Sequence, residues 1–305
     1  MAKSHLMSSP ETSWVIIAGH CDPHDLRDVE MSVRVLQLAG VLNTQITVFL
    51  SLNNAKLSEN DTPAFLEKIS SVRIFSSEEV IKCFPFGKKH VVIVAGHGGE
   101  GEIACYPPMK PAGFLDLINS KCSEAGLLIF SQCFSGIFNY LPVTSLERGD
   151  SFGPEFTLIG ATEMTTSSGL SLELIDIPEN LKNFFSKEHG SDWCPNFFLL
   201  HTLLWFLPLM KRDVDGDGSA TALDLFKFTL MSTSKTMARK RTKFLKMILE
   251  RSEKEKTAAL GDAPSELDII LSDASQQTLE DQISGIFSEQ TPWILNAALA
   301  RRMIF

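Results

Sequence analysis

The 305-residue chain is poor in cysteine, with six in all, at positions 21, 83, 105, 122, 133 and 194. That is too sparse for a disulfide framework and points to reduced thiols. A positive balance is also missing. The 28 lysines and arginines face 37 aspartates and glutamates, giving a net charge of -9. A nucleic-acid binder carries a basic footprint instead, so no nucleic-acid partner is expected. No apolar run is long enough to span a membrane. The most apolar, residues 197–210, is too short, contains His201 and reads as a buried core helix. The first eleven residues are polar and lack the apolar stretch of a secretory signal. The expectation is a cytoplasmic protein, or one secreted without a cleavable signal peptide.

What is present suits a globular core: 44% of residues are hydrophobic and 21% charged. No internal repeat is visible, and the length fits one large domain or a domain with an appendage. Short apolar runs at residues 13–19, 46–52, 91–95, 127–130 and 156–161 read as buried strands. Helical spacing lies between them at residues 25–38, around Phe65 and Ile69, and at 113–122. Residues 72–75 suggest a minor strand, 102–106 a hairpin arm, and 143–154 a polar linker. Strands alternating with helices predict an α/β fold with a mostly parallel sheet covered on both faces.

Two strands end in usable chemistry. Residues 91–95 run into Gly96-His97-Gly98-Gly99, and residues 127–130 into Ser131-Gln132-Cys133-Phe134-Ser135-Gly136. Ligands of open α/β sheets bind beyond the carboxyl ends of the strands. A cysteine there is either a buried structural residue or a nucleophile. If the strands are neighbours, His97 becomes the base for Cys133, and a helix starting at Ser135 would favour the thiolate further. Gly96, Gly98 and Gly101 also spell G-x-G-x-x-G, but two prolines follow at 107 and 108 instead of the helix a dinucleotide site needs. His189-Gly190 reads as a loop.

In order along the chain, VVIVAGHGGEGEIACYP (91–107), LLIFSQCFSG (127–136) and FTLIGATEMTTSS (156–168) resemble the caspase–legumain clan of cysteine peptidases, most of all the legumain family and its bacterial relatives. The resemblance runs from about residue 13 to 210. It implies a caspase-like three-layer sandwich and a cysteine endopeptidase without an organic cofactor, acting on a protein or peptide. Cys133 would be the nucleophile and His97 the general base and acid, as a dyad. The N–H groups of Gly98 and Cys133 would form an oxyanion hole. Arg27, Ser131, Thr162 and Glu163 fall where substrate would be contacted, and Asp28 or Glu163 would suit a basic side chain. Two positions depart from the family pattern: Ser131, usually acidic or glutamine, and Gly96, aspartate in legumains. They leave open an inactive, calcium-stabilised binding scaffold; a separate alternative passes the thioester of the same dyad to an amine, as a ligase or transamidase.

Residues 213–224 (DVDGDGSATALD) fit a twelve-residue calcium loop, with Asp213, Asp215, Asp217, Ser219, Thr221 and Asp224 as oxygen donors and Gly216 at the sharp turn. The twelfth position is aspartate rather than glutamate, which weakens bidentate ligation. The role expected for calcium is structural. Residues 13–231 then form the peptidase-like domain with this loop, and residues 232–305 a helical C-terminal part packing on it. Residues 235–246 are basic and read as a solvated helix face with a core side. The apolar end, with Trp293, Ile294 and Leu295, is expected to dock on the domain.

Overall fold

Residues 14–18 and 91–95 are apolar at every position, and both runs are strands buried on two faces. In the computed structural model the described residues are 4–7, 9–20, 22–51, 61–99, 101–103, 108–140, 155–167, 169–189, 193–258 and 290–305. The linker expected at 143–154 and part of the arm at 102–106 lie outside them. The main sheet contains β1 (Thr12–His20), β2 (Ile46–Ser51), β3 (Arg73–Ser76), β4 (Gly87–Ala95), β5 (Cys122–Phe130), β6 (Glu155–Gly160) and β7 (Trp293–Leu295). Their spatial order is β7-β6-β5-β4-β1-β2-β3, and only β7 runs antiparallel to its neighbour.

Alternation along each strand sorts side chains to two cores. Trp14, Ile16, Ala18, Ile93 and Ile129 join one; Val15, Ile17, Val92, Val94, Leu128 and Phe130 join the other. The first core is covered by α1 (Pro23–Leu38), α2 (Asp61–Ile69), α4 (Glu179–His189), α5 (Phe197–Trp205) and the start of α6 (Ala222–Ala258), the second by α3 (Pro111–Lys121). The result is the expected three-layer α/β sandwich with a mostly parallel sheet. All nine residues of α5 are buried, as an all-round apolar helix must be. Among the described residues, no helix is long and apolar enough to cross a membrane.

The core helix expected to reach residue 210 ends at Trp205. Phe206 and Leu207 donate to carbonyls three residues back, Pro208 has no N–H to continue the ladder, and the Trp205 indole donates to the Arg212 carbonyl at 3.1 Å. The chain therefore turns before the acidic loop. After that loop α6 runs unbroken through position 232, where the C-terminal part was expected to begin. Trp293 docks as expected, 8% exposed, in the edge strand β7, with its indole donating to the Thr162 carbonyl at 2.6 Å.

His201 is fixed inside this layer by Thr236 of α6, 2.9 Å from Nε2 to Oγ1. Burial pushes its pKa down from 6.5 to about 4, although Asp176 pulls the other way. The unfolded chain therefore binds more protons between these values, and stability falls as the pH falls through that window. A His201→Gln variant is expected to flatten the acid limb of the unfolding curve between pH 6.5 and 4, a limb to which His201 contributes about 3 kcal/mol in the wild type. Urea melts at a series of pH values read this directly; equal slopes in both proteins would contradict it.

Candidate active site

The order of the sheet places the expected strand ends side by side. β4 and β5 are paired and parallel, with Val94 opposite Phe130. Ser131 extends the contact: its N and Oγ both donate to the Val94 carbonyl, at 2.9 and 3.0 Å. Beyond this edge, Cys133 and His97 line one cleft of about 240 Å³. The crevice lies where β1 hands the winding of the sheet from β2 and β3 to β4, which is where α/β sheets place their sites. The turn at Gly96 has φ +82°, a conformation that suits glycine.

The backbone after His97 touches the backbone of Cys133. A Cβ on Gly98 would stand 2.3 Å from the Cys133 carbonyl oxygen, closer than any real contact. Gly98 pairs with Ile103 in a short hairpin, which holds that approach. The proposed oxyanion donors Gly98 and Cys133 are thus adjacent.

The turn carrying Cys133 is stitched to residues 162–167. Phe134, in the left-handed region at φ +56°, donates its N–H to Thr165 at 2.8 Å, and Gly136 donates to Glu163 at 2.9 Å. Left-handed backbone at a non-glycine residue costs about 1–3 kcal/mol and persists only where the surroundings enforce it. Here they do: Phe138 is fully buried and stacks on Phe130 at 4.0 Å between centroids. The helix expected from Ser135 is a 3-10 segment, Ser135–Tyr140, too short to build a large dipole. The direct contacts to the sulfur are instead both with Ser167: its N–H donates to Sγ at 3.2 Å, and its carbonyl accepts from Sγ at 3.8 Å.

His97 is half exposed, and its Nε2 faces Asp25 Oδ2 at 3.6 Å and Asp22 Oδ2 at 3.8 Å. These two carboxylates also build the start of α1. Asp22 caps the N–H groups of His24 and Asp25, and Asp25 accepts from the Asp22 N–H in return, a reciprocal capping box. Burial, with the charge of Asp22 added, raises the Asp25 pKa against that backbone bond and the His97 charge. Asp28, one turn on, is buried beneath them and accepts from Trp193 Nε1 at 3.1 Å and Asn196 N at 2.9 Å. Burial holds its carboxyl well above the usual range despite those bonds. Asp22, Asp25 and Asp28 all line the cleft, and among the described residues no lysine or arginine does.

The other expected contacts are placed differently. Arg27 is half-buried on α1 but is not part of the cleft lining. Ser131 lines the cleft, with its hydroxyl spent on Val94. Thr162 is fully buried, its hydroxyl bonded to the Thr165 carbonyl at 2.9 Å, and it accepts from Ser135 Oγ at 2.8 Å. Glu163 is exposed, and its backbone carbonyl holds Gly136. Thr162 and Glu163 thus brace the turn after Cys133. Asp22, Asp25, Ser167 and Asn196 were missed at sequence level. For Asp22 and Asp25 the available signal was the acidic i, i+3 spacing with Asp28; Ser167 and Asn196 carry none.

In the acidic loop, Gly216 and Gly218 take φ +78° and +87°, and carboxylate oxygens of Asp213, Asp215 and Asp224 lie within 4.8 Å of one another. This convergence of hard oxygen donors fits a divalent cation. The Asp217 carboxylate is outside that group and accepts from Ser219 N at 2.9 Å. Thr221 turns its hydroxyl to Asp224 at 2.6 Å, so these two also cap α6. Lys227 Nζ stands 2.6 Å from Asp215 Oδ2 and holds its pKa low. A metal would compete with that ammonium. Comparison with protein-family models and with curated proteins finds no match to this chain.

Proposed function

We propose that the protein is a cysteine endopeptidase of the caspase–legumain type. One observation carries the reading: Cys133 and His97, at the ends of adjacent parallel strands, line a single cleft with the backbone of Gly98 against that of Cys133. The Cys133 thiol gives its proton to His97, and the resulting thiolate attacks the peptide carbonyl. The N–H groups of Gly98 and Cys133 stabilise the oxyanion. His97 then protonates the leaving amine, and water hydrolyses the thioester with His97 as base. Asp22 and Asp25 face Nε2 and orient the imidazole.

The cleft selects a basic side chain. A guanidinium or ammonium entering it meets Asp22 and Asp25, with no lysine or arginine among the described residues of its lining, whereas an acidic side chain meets like charge. Cleavage profiling on a peptide library tests both parts. Cleavage after arginine or lysine is expected to exceed cleavage after aspartate by at least about tenfold. Asp22→Asn is expected to narrow that ratio while keeping the helix cap, since asparagine caps as well as aspartate. No cleavage of any peptide would reject the peptidase.

A second reading, a non-catalytic scaffold of the same fold, has one observation in its favour: Sγ is bonded to Ser167, and the His97 ring faces Asp22 and Asp25. Catalytic hydrogen bonds often tighten only with substrate bound, and the library assay decides. Product mass separates hydrolysis from transfer of the acyl group to an amine.

The loop at 213–224 is proposed as a structural calcium site, held by Asp213, Asp215 and Asp224. At a hundredfold excess over Kd, calcium is expected to add about 2.7 kcal/mol to the unfolding free energy. Asp213→Asn is expected to lose most of that gain. Thermal melts with calcium and with chelator check this, and identical curves would exclude the site.

A further inference from the structure

We propose that Asn196 is a positioning residue for the Cys133 nucleophile, acting through Ser131 and Ser167. The inference rests on the reading of Cys133 as the nucleophile. Every hydrogen-bonding group of the Asn196 side chain is committed. Nδ2 donates to the Ser131 carbonyl at 2.9 Å and to Ser167 Oγ at 2.7 Å, and Oδ1 accepts from Leu199 N at 3.0 Å. A carbonyl on one side and an N–H on the other fix which end of the amide is nitrogen. The two donated bonds reach both segments that flank the thiol. Ser131 lies two residues before Cys133, and Ser167 supplies the N–H on Sγ.

The anchor of this amide is rigid. Asn196 is the N-cap of the fully buried helix α5, and its own N–H is held by Asp28. Asp28 is held in turn by Trp193, a fully buried side chain. Ser167 Oγ receives a second donor, Gln290 Nε2, at 3.3 Å. The position of the sulfur's N–H donor is thereby set by the cap of a buried helix. The Ser167 N–H is held 3.2 Å from Sγ, the reacting atom.

Two variants separate positioning from folding. Asn196→Asp keeps the acceptor that caps α5 but turns a carboxylate oxygen toward the Ser131 carbonyl. Ser167→Ala leaves the cap and the N–H on Sγ intact and removes the hydroxyl that accepts from Asn196 and Gln290. Alkylation of Cys133 by iodoacetamide at pH 7, mapped by peptide mass, is expected to slow about tenfold in Asn196→Asp and less in Ser167→Ala. On the cleaved peptide, kcat should fall with KM unchanged, the pattern of an interaction made at the reacting centre. Unchanged alkylation in both variants, with unfolding midpoints equal to wild type, would overturn the assignment. Alkylation needs no proteolysis. A wild type that cleaves nothing but shows the alkylation effect rejects the peptidase and keeps the positioning role. Cys133-dependent cleavage with unmoved alkylation does the reverse.

Discussion

A His97→Ala variant is expected to lose about 10²–10⁴-fold in kcat/KM while unfolding close to wild type. His97 is half exposed on a glycine-flanked turn, and its interactions with Asp22 and Asp25 are long, at 3.8 and 3.6 Å. Little packing is lost on truncation, and surface ion pairs are worth at most about 1 kcal/mol. The chemistry loses more. Without the imidazole, the one other histidine among the described residues of the cleft lining is His24, on the first turn of α1 rather than at the end of a strand beside β5. The loss should fall on kcat, because the proton transfers belong to the transition state. Activity of the alanine variant within a few-fold of wild type would remove His97 from the mechanism.

Gly98→Ala is the second large effect. The added methyl stands 2.3 Å from the Cys133 carbonyl oxygen and 3.1 Å from Gln132 Cβ. The first neighbour is backbone, so the two strand ends must separate. A displacement on the order of 1 Å at a reacting centre costs about a hundredfold in rate, while overpacking costs about 1–3 kcal/mol of stability. Gly101→Ala is the control on the same hairpin: its Cβ meets nothing within 4 Å. Activity is expected to fall about a hundredfold in the first variant and to stay near wild type in the second. Equal, small effects would mean that the close approach of Gly98 to Cys133 does not matter to function.

The sequence made the strands legible because burial on both faces leaves continuous apolar runs, and the end of such a run is easy to read. Cys133 and His97 followed from that, since each ends a strand. The partners that hold them did not. Asn196 looks like an ordinary helix cap, Asp22 and Asp25 like helix-start acids, and Ser167 like one of several small residues in a polar loop. Each is that locally. Their second roles arise from packing α1 and α5 against the same sheet edge, across separations such as the 65 residues between Ser131 and Asn196. The end of the core helix was misplaced for a related reason. Residues 206–210 stay largely apolar beyond the helix because Leu207 and Phe206 remain buried in the turn, and periodicity cannot separate a buried turn from a buried helix. The segment after Cys133, expected as a helix from Ser135, is a short 3-10 turn, and the Phe130–Phe138 stack packs it against β5.

The central claim is that Cys133 is the attacking group. The most direct measurement is the intact mass and peptide map of the protein after reaction with a lysine-bearing peptidyl acyloxymethyl ketone, in wild type and in Cys133→Ala. One adduct per chain, located on Cys133 and absent from the variant, is the expected result. An adduct of equal yield in the variant, or peptide cleavage that survives the loss of Cys133, would contradict it.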